Sequence, residues 1–112
     1  MTEQTQAPLW QREFPDFPPA DMPAVPAGFE DTSWHNNVCP SFYDDELGLL
    51  IWVDYADLAK REMPRYSARF TIMRQADPDD NPREILGTDD WNEILTAIKI
   101  RATEYEHEIG RA

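Results

Sequence analysis

The stretch Trp34-His35-Asn36-Asn37-Val38-Cys39-Pro40 holds the single cysteine and one of the two histidines of this chain. A thiol and an imidazole make a nucleophile and its base when they come within hydrogen-bond reach. Four residues of extended chain separate them by roughly 13 Å, so the pair forms only if the segment folds back. The plainer expectation is a small buried Cys39 and a loop His35, with Asn36 and Asn37 satisfying backbone groups in a turn. No catalytic residue is assigned.

Carboxylates are the second source of chemistry. Asp54 ends an apolar run, where a central strand would carry an apolar side chain, and Asp57 follows three residues later. A buried carboxylate needs a partner or takes up a proton. Arg65 and Arg69 are the expected structural partners for Asp54. The competing expectation is a functional acid in a pocket between an N-terminal arm and the sheet, lined by Trp34, Trp52 and Asp54. In Asp77-Pro78-Asp79-Asp80-Asn81-Pro82 the acids alternate as in a calcium loop, but the sixth and twelfth positions hold Pro82 and Thr88 rather than glycine and glutamate. A solvated turn is expected there, and no metal or cofactor is assigned.

Binding motifs are better represented. Arg12-Glu13-Phe14-Pro15-Asp16-Phe17-Pro18 has the basic and proline spacing that aromatic grooves read in polyproline helices. Trp10, Phe14 and Phe17 are expected to dock on this protein's own sheet, on a second copy or on a partner. Near the C-terminus, helical spacing groups Asp90, Glu93, Glu104 and Glu108 on one flank with Ile100 beside them, an apolar anchor inside a charged rim.

These residues need elements to position them. Six of ten prolines lie before residue 27, and proline opposes both helix interiors and central strands. Residues 1–28 are therefore read as an extended Pro-rich arm, and residues 29–112 as one α+β domain. Val38–Tyr43 is a short, proline-interrupted strand. Leu47–Tyr55 is the clearest strand, apolar on both faces of its first half. A turn or two of helix is expected over Asp57–Met63. Arg65–Arg74 alternates cleanly, and the aspartate-proline loop joins it to Arg83–Leu86 as a hairpin. Thr88 starts a helix running to about Glu108, whose Trp91, Ile94, Leu95, Ile98, Ala102, Tyr105 and Ile109 form the packing stripe. The expected architecture is a small antiparallel meander of three to four strands with one C-terminal amphipathic helix on a face.

The formal charge is −12, from 22 acids against 10 bases, at a pI near 4.3. It falls as −5 over residues 1–33, −1 over 34–75 and −6 over 76–112. The acidity opposes direct binding to nucleic acid or to an anionic membrane. No apolar run approaches the roughly 20 residues of a membrane span. No signal-peptide pattern opens the chain, and a lone cysteine suits the reducing cytoplasm. With 41% hydrophobic and 12% aromatic residues the chain should bury a core. The expectation is a small, acidic, cytoplasmic, non-enzymatic protein that binds a protein partner with a basic surface. It would act as an inhibitor or nucleic-acid mimic, with homo-oligomerisation through the arm a further route. The alternative is a small-ligand module or enzyme using the arm–sheet pocket.

Overall fold

The computed structural model describes residues 7–63 and 67–110. Five strands, β1 (Glu30–Asp31), β2 (Ser41–Asp44), β3 (Leu49–Val53), β4 (Phe70–Arg74) and β5 (Arg83–Thr88), pair antiparallel in chain order. A short helix α1 (Leu9–Glu13) precedes them and α2 (Trp91–Gly110) follows. The α+β meander is as expected, with one strand more. The addition is β1, two acidic residues held opposite Tyr43 and Phe42, too short to show any alternation in the sequence.

Period two decides what each face does. The register Phe42–Ile51–Ile72–Leu86 across β2 to β5 puts these side chains on one face with Leu49, Val53 and Phe70. Leu49, Ile51, Val53 and Ile72 there are fully buried. Ser41, Tyr43, Leu50, Trp52, Thr71 and Met73 occupy the other face. Between Ile72 and Met73 the partner strand carries one extra residue, Ile85, a bulge that aims it to the α2 side.

The buried face has two covers. Over β4 and β5 lies α2, which buries Ile94, Ile98 and, unexpectedly, Arg101. Ile109, placed in the stripe by its spacing, is exposed. The helix begins at Trp91 rather than Thr88 because Thr88 still pairs with Phe70 in the sheet. Its hydroxyl accepts from the Asp90 amide at 3.0 Å, and the Asp90 carboxylate accepts from the Asn92 amide at 2.9 Å. The first helical turn is thereby capped.

The N-terminal segment is the second cover, and its described part is not the extended arm expected. It forms α1 and a 3-10 turn at Pro19–Asp21. Pro8 and Pro18 stand immediately before these turns, where a missing amide hydrogen costs nothing. Phe14 and Phe17 are buried in the same core as Ile51 and Phe70. The Phe17 ring lies 5.6 Å from Trp10 and 4.9 Å from Tyr55, centroid to centroid. Polar contacts fix the segment: the Trp10 amide donates to Asp31 at 2.8 Å, the Tyr55 hydroxyl to Asp16 at 2.7 Å, and Arg69 to the Asp21 carbonyl. The short helix expected at Asp57–Met63 is a single 3-10 turn, Leu58–Lys60, which the Asp57 carboxylate caps.

Candidate functional site

Antiparallel pairing brings two acidic connections to one end of the sheet. The partners Asp44–Leu49–Arg74–Arg83 mark that end, so the 45–48 turn and the 75–82 loop emerge side by side. Gly48 turns β2 into β3 at φ +66°, a conformation that favours glycine, while its amide donates to the Asp44 carbonyl at 2.8 Å. The loops are tied together by the Gln75 amide on the Gly48 carbonyl at 2.9 Å and the Tyr43 hydroxyl on the Gln75 carbonyl at 2.8 Å. Asp77 accepts from the Asp79 amide at 2.9 Å, which stiffens the segment that carries Asp79 and Asp80.

Asp45, Glu46, Asp77, Asp79 and Asp80 thus share one end, and their field is felt by the residues beneath. Burial raises the Tyr43 phenol above its ordinary pKa, and Asp77, Asp45 and Asp80 raise it further against the opposing pull of Arg74. Tyr105 on α2 is likewise raised by burial and then by Glu46. Arg101 fastens α2 to this end. Its Nε donates to the Leu47 carbonyl at 2.8 Å, and its guanidinium meets Glu108 at 2.9 Å and Glu104 at 3.6 Å. The guanidinium holds the Glu108 carboxyl below its usual range.

The helix flank singled out by spacing does not act as one patch. Asp90 and Glu93 sit at the N-terminal turn in capping contacts with Asn92 and Thr88. Glu104 and Glu108, about three turns further on, both pair with Arg101. Ile100 is exposed, and with Ile85, Arg74 and Arg83 it lines a shallow groove between α2 and β5. Of the arm aromatics, Phe14 and Phe17 are in the core and Trp10 is half-buried.

A cavity of about 420 Å³ does contain Trp52 and Asp54. It lies on the sheet face opposite α2 and the N-terminal segment, so it is not walled by an arm. Its wall is the 36–39 loop, with Thr71, Met73 and Glu84 of the sheet. Trp34 is elsewhere, half-exposed, with its ring 4.2 Å from that of His35. Asp54 is buried and accepts from the Tyr55 amide at 2.8 Å. Burial raises its carboxyl above the ordinary range, while the Tyr55 amide and Arg61 oppose the rise. Neither expected arginine appears as its partner among the described residues: Arg69 turns to the Asp21 carbonyl, and Arg65 lies outside them.

His35 and Cys39 are not brought together. The Glu13 carboxylate of α1 accepts from His35 Nδ1–H, 2.7 Å away, and that contact lowers the Glu13 carboxyl. Cys39 is buried on the far side, where desolvation and then Asp54 push its thiol far up. A thiol in that state is a poor nucleophile. Spacing could not have shown the convergence of the two acidic loops, because it depends on the register of four strands. The buried Arg101 left a fainter signal: it falls three residues after Ile98, on the apolar stripe.

Compared with known proteins, the chain matches no family model, no curated protein and no solved structure. No helix among the described residues is long and apolar enough to cross a membrane. The fold and the sites are therefore read from this molecule alone: an antiparallel five-stranded meander, one helix, an acidic end and an open-face cavity.

Proposed function

We propose that this chain is a non-enzymatic protein-binding module that presents the acidic end of its sheet to a basic surface on a partner protein, inhibiting whatever that surface otherwise engages. The observation that carries the reading is the convergence of the 45–48 and 75–82 connections, which brings five carboxylates to one end on hydrogen-bonded loops, three of them, Asp45, Asp77 and Asp80, close enough to act on Tyr43. Such a field speeds encounter with a basic partner and rejects acidic ones. The phosphate-mimic form of the idea asks for a row of unengaged carboxylates. The α2 flank does not supply one, since its acids cap the helix or pair with Arg101. Exchange of the arm between copies is not carried forward either, because Phe14 and Phe17 are seated on their own sheet. The same reading places the protein in the cytoplasm, where Cys39 stays reduced.

The test separates local charge from total charge. Asp45→Asn, Glu46→Gln, Asp79→Asn and Asp80→Asn together remove four charges from the acidic end. Asp21→Asn, Asp57→Asn, Glu62→Gln and Glu93→Gln remove four at the opposite end of the sheet. Binding to an arginine-rich peptide at moderate salt should fall in the first set and stay near wild type in the second.

A further inference from the structure

The open face of the sheet carries a feature that the acidic end does not explain. The cavity there has a volume of about 420 Å³, within the range that small-molecule sites occupy. Its described lining includes two carboxylates, Asp54 and Glu84, one indole, Trp52, and one thioether, Met73, and no lysine, arginine or histidine. Gly87 keeps it open. A Cβ built there would meet Glu84 Oε2 and the Ala68 Cβ at 3.4 Å and Thr71 Oγ1 at 3.8 Å, so the missing side chain clears the floor between β4 and β5. Ser67, another lining residue, has a buried hydroxyl with no hydrogen-bond partner among the described residues. An unpaired buried hydroxyl is uncommon in a finished interior and marks a place where a ligand can complete the bonding.

Charge decides the kind of ligand. Anions are opposed by Asp54 and Glu84, and a neutral molecule gains no charge attraction from either carboxylate. A cation answers both, and the face of Trp52 adds the quadrupole attraction that ammonium groups find over aromatic rings. From these observations we infer that the open-face cavity binds a small organic ammonium compound, its charged head between Asp54 and Glu84 and its apolar body against Trp52 and Met73. The site is independent of the acidic end, which lies at the sheet's rim.

The experiment is a titration of the full chain with phenethylammonium chloride, followed by the indole N–H resonance of Trp52 and the amides of Thr71 and Gly87. 2-Phenylethanol, the neutral analogue, and sodium chloride serve as controls. Saturable shifts confined to the cavity are expected with the ammonium compound and not with either control. Asp54→Asn should weaken binding at least tenfold and Glu84→Gln several-fold, with dispersed spectra confirming the fold. Glu84 is exposed, so its variant tests the charge even if Asn at position 54 prevents folding. Gly87→Ala, which projects a methyl onto the floor, should weaken the ammonium compound without changing its charge dependence. Equal binding of phenylethanol, or no shift at Trp52 at tens of millimolar ammonium, overturns the assignment.

Discussion

Replacing Phe17 by alanine asks whether the proline-rich N-terminal segment is part of the folding unit. Phe17 is 1% exposed and lies edge-on to Trp10 and tilted against Tyr55. Truncating a buried phenylalanine costs about 3–5 kcal/mol from lost transfer energy and the cavity left behind. The upper half of that range applies, because the hole opens between two rings, those of Trp10 and Tyr55, and the Tyr55 hydroxyl is also anchored to Asp16 of the same segment. A domain of this size has a total stability of about 5–15 kcal/mol, so the loss is a large fraction of it. With a urea m value of about 1.5 kcal/mol per molar, the unfolding midpoint should drop by about 2.7–3.3 M. The assay is equilibrium urea unfolding by tryptophan fluorescence, with amide exchange at Leu49–Val53 to show that the whole sheet is affected. A drop under about 0.5 M, or weakened protection confined to residues 7–28, would refute the reasoning and make the segment an accessory strap.

Two further perturbations follow from buried charge. Burial raises the Asp54 carboxyl above its unfolded value of 3.8, so the folded state holds that proton more tightly than the unfolded state. The stability linked to Asp54 is fully present below pH 3.8 and is lost as pH rises through the raised folded value. Asp54→Asn should therefore flatten the pH dependence of the unfolding midpoint in that window, and an unchanged slope counts against a desolvated carboxylate. Arg101→Leu removes the bond to the Leu47 carbonyl and the partner of Glu108, at a cost of about 1–2 kcal/mol once the gain from leucine burial is subtracted. Carbon-detected titration should then find the Glu108 carboxyl back in its ordinary range, and a value that stays low would mean that Arg101 is not what holds it down.

Much of the architecture was legible because it rests on local rules. The alternation around Leu49 to Val53, the aspartate-proline loop and the three-and-four spacing from Trp91 each name an element. The capping chemistry at Thr88 and Asp90 located the start of α2 within three residues. What stayed hidden depends on packing between distant segments. Proline density suggested an extended arm, yet Pro8 and Pro18 sit where proline opens a turn, and Phe14 and Phe17 supply the burial that holds those turns down. Arg101 reads as a surface residue until the Leu47 carbonyl is seen beneath it. Trp52 and Asp54 do line one cavity, without Trp34 and on the face away from the N-terminal segment. The face is settled by which flank α2 and the N-terminal segment cover, and period two alone leaves both faces equivalent.

The most direct test of the central claim is the affinity of the two charge-neutralised sets for an arginine-rich peptide. Both carry the same net charge, so a difference between them can arise only from where the charges sit. Exposed ion pairs contribute about 0.2–1 kcal/mol each, so loss of Asp45, Glu46, Asp79 and Asp80 should weaken binding about tenfold or more and reduce its salt dependence. The set at Asp21, Asp57, Glu62 and Glu93, at the opposite end of the sheet, should bind within about twofold of wild type. Equal losses in the two sets would show that only total charge matters and would contradict a recognition surface at the end of the sheet.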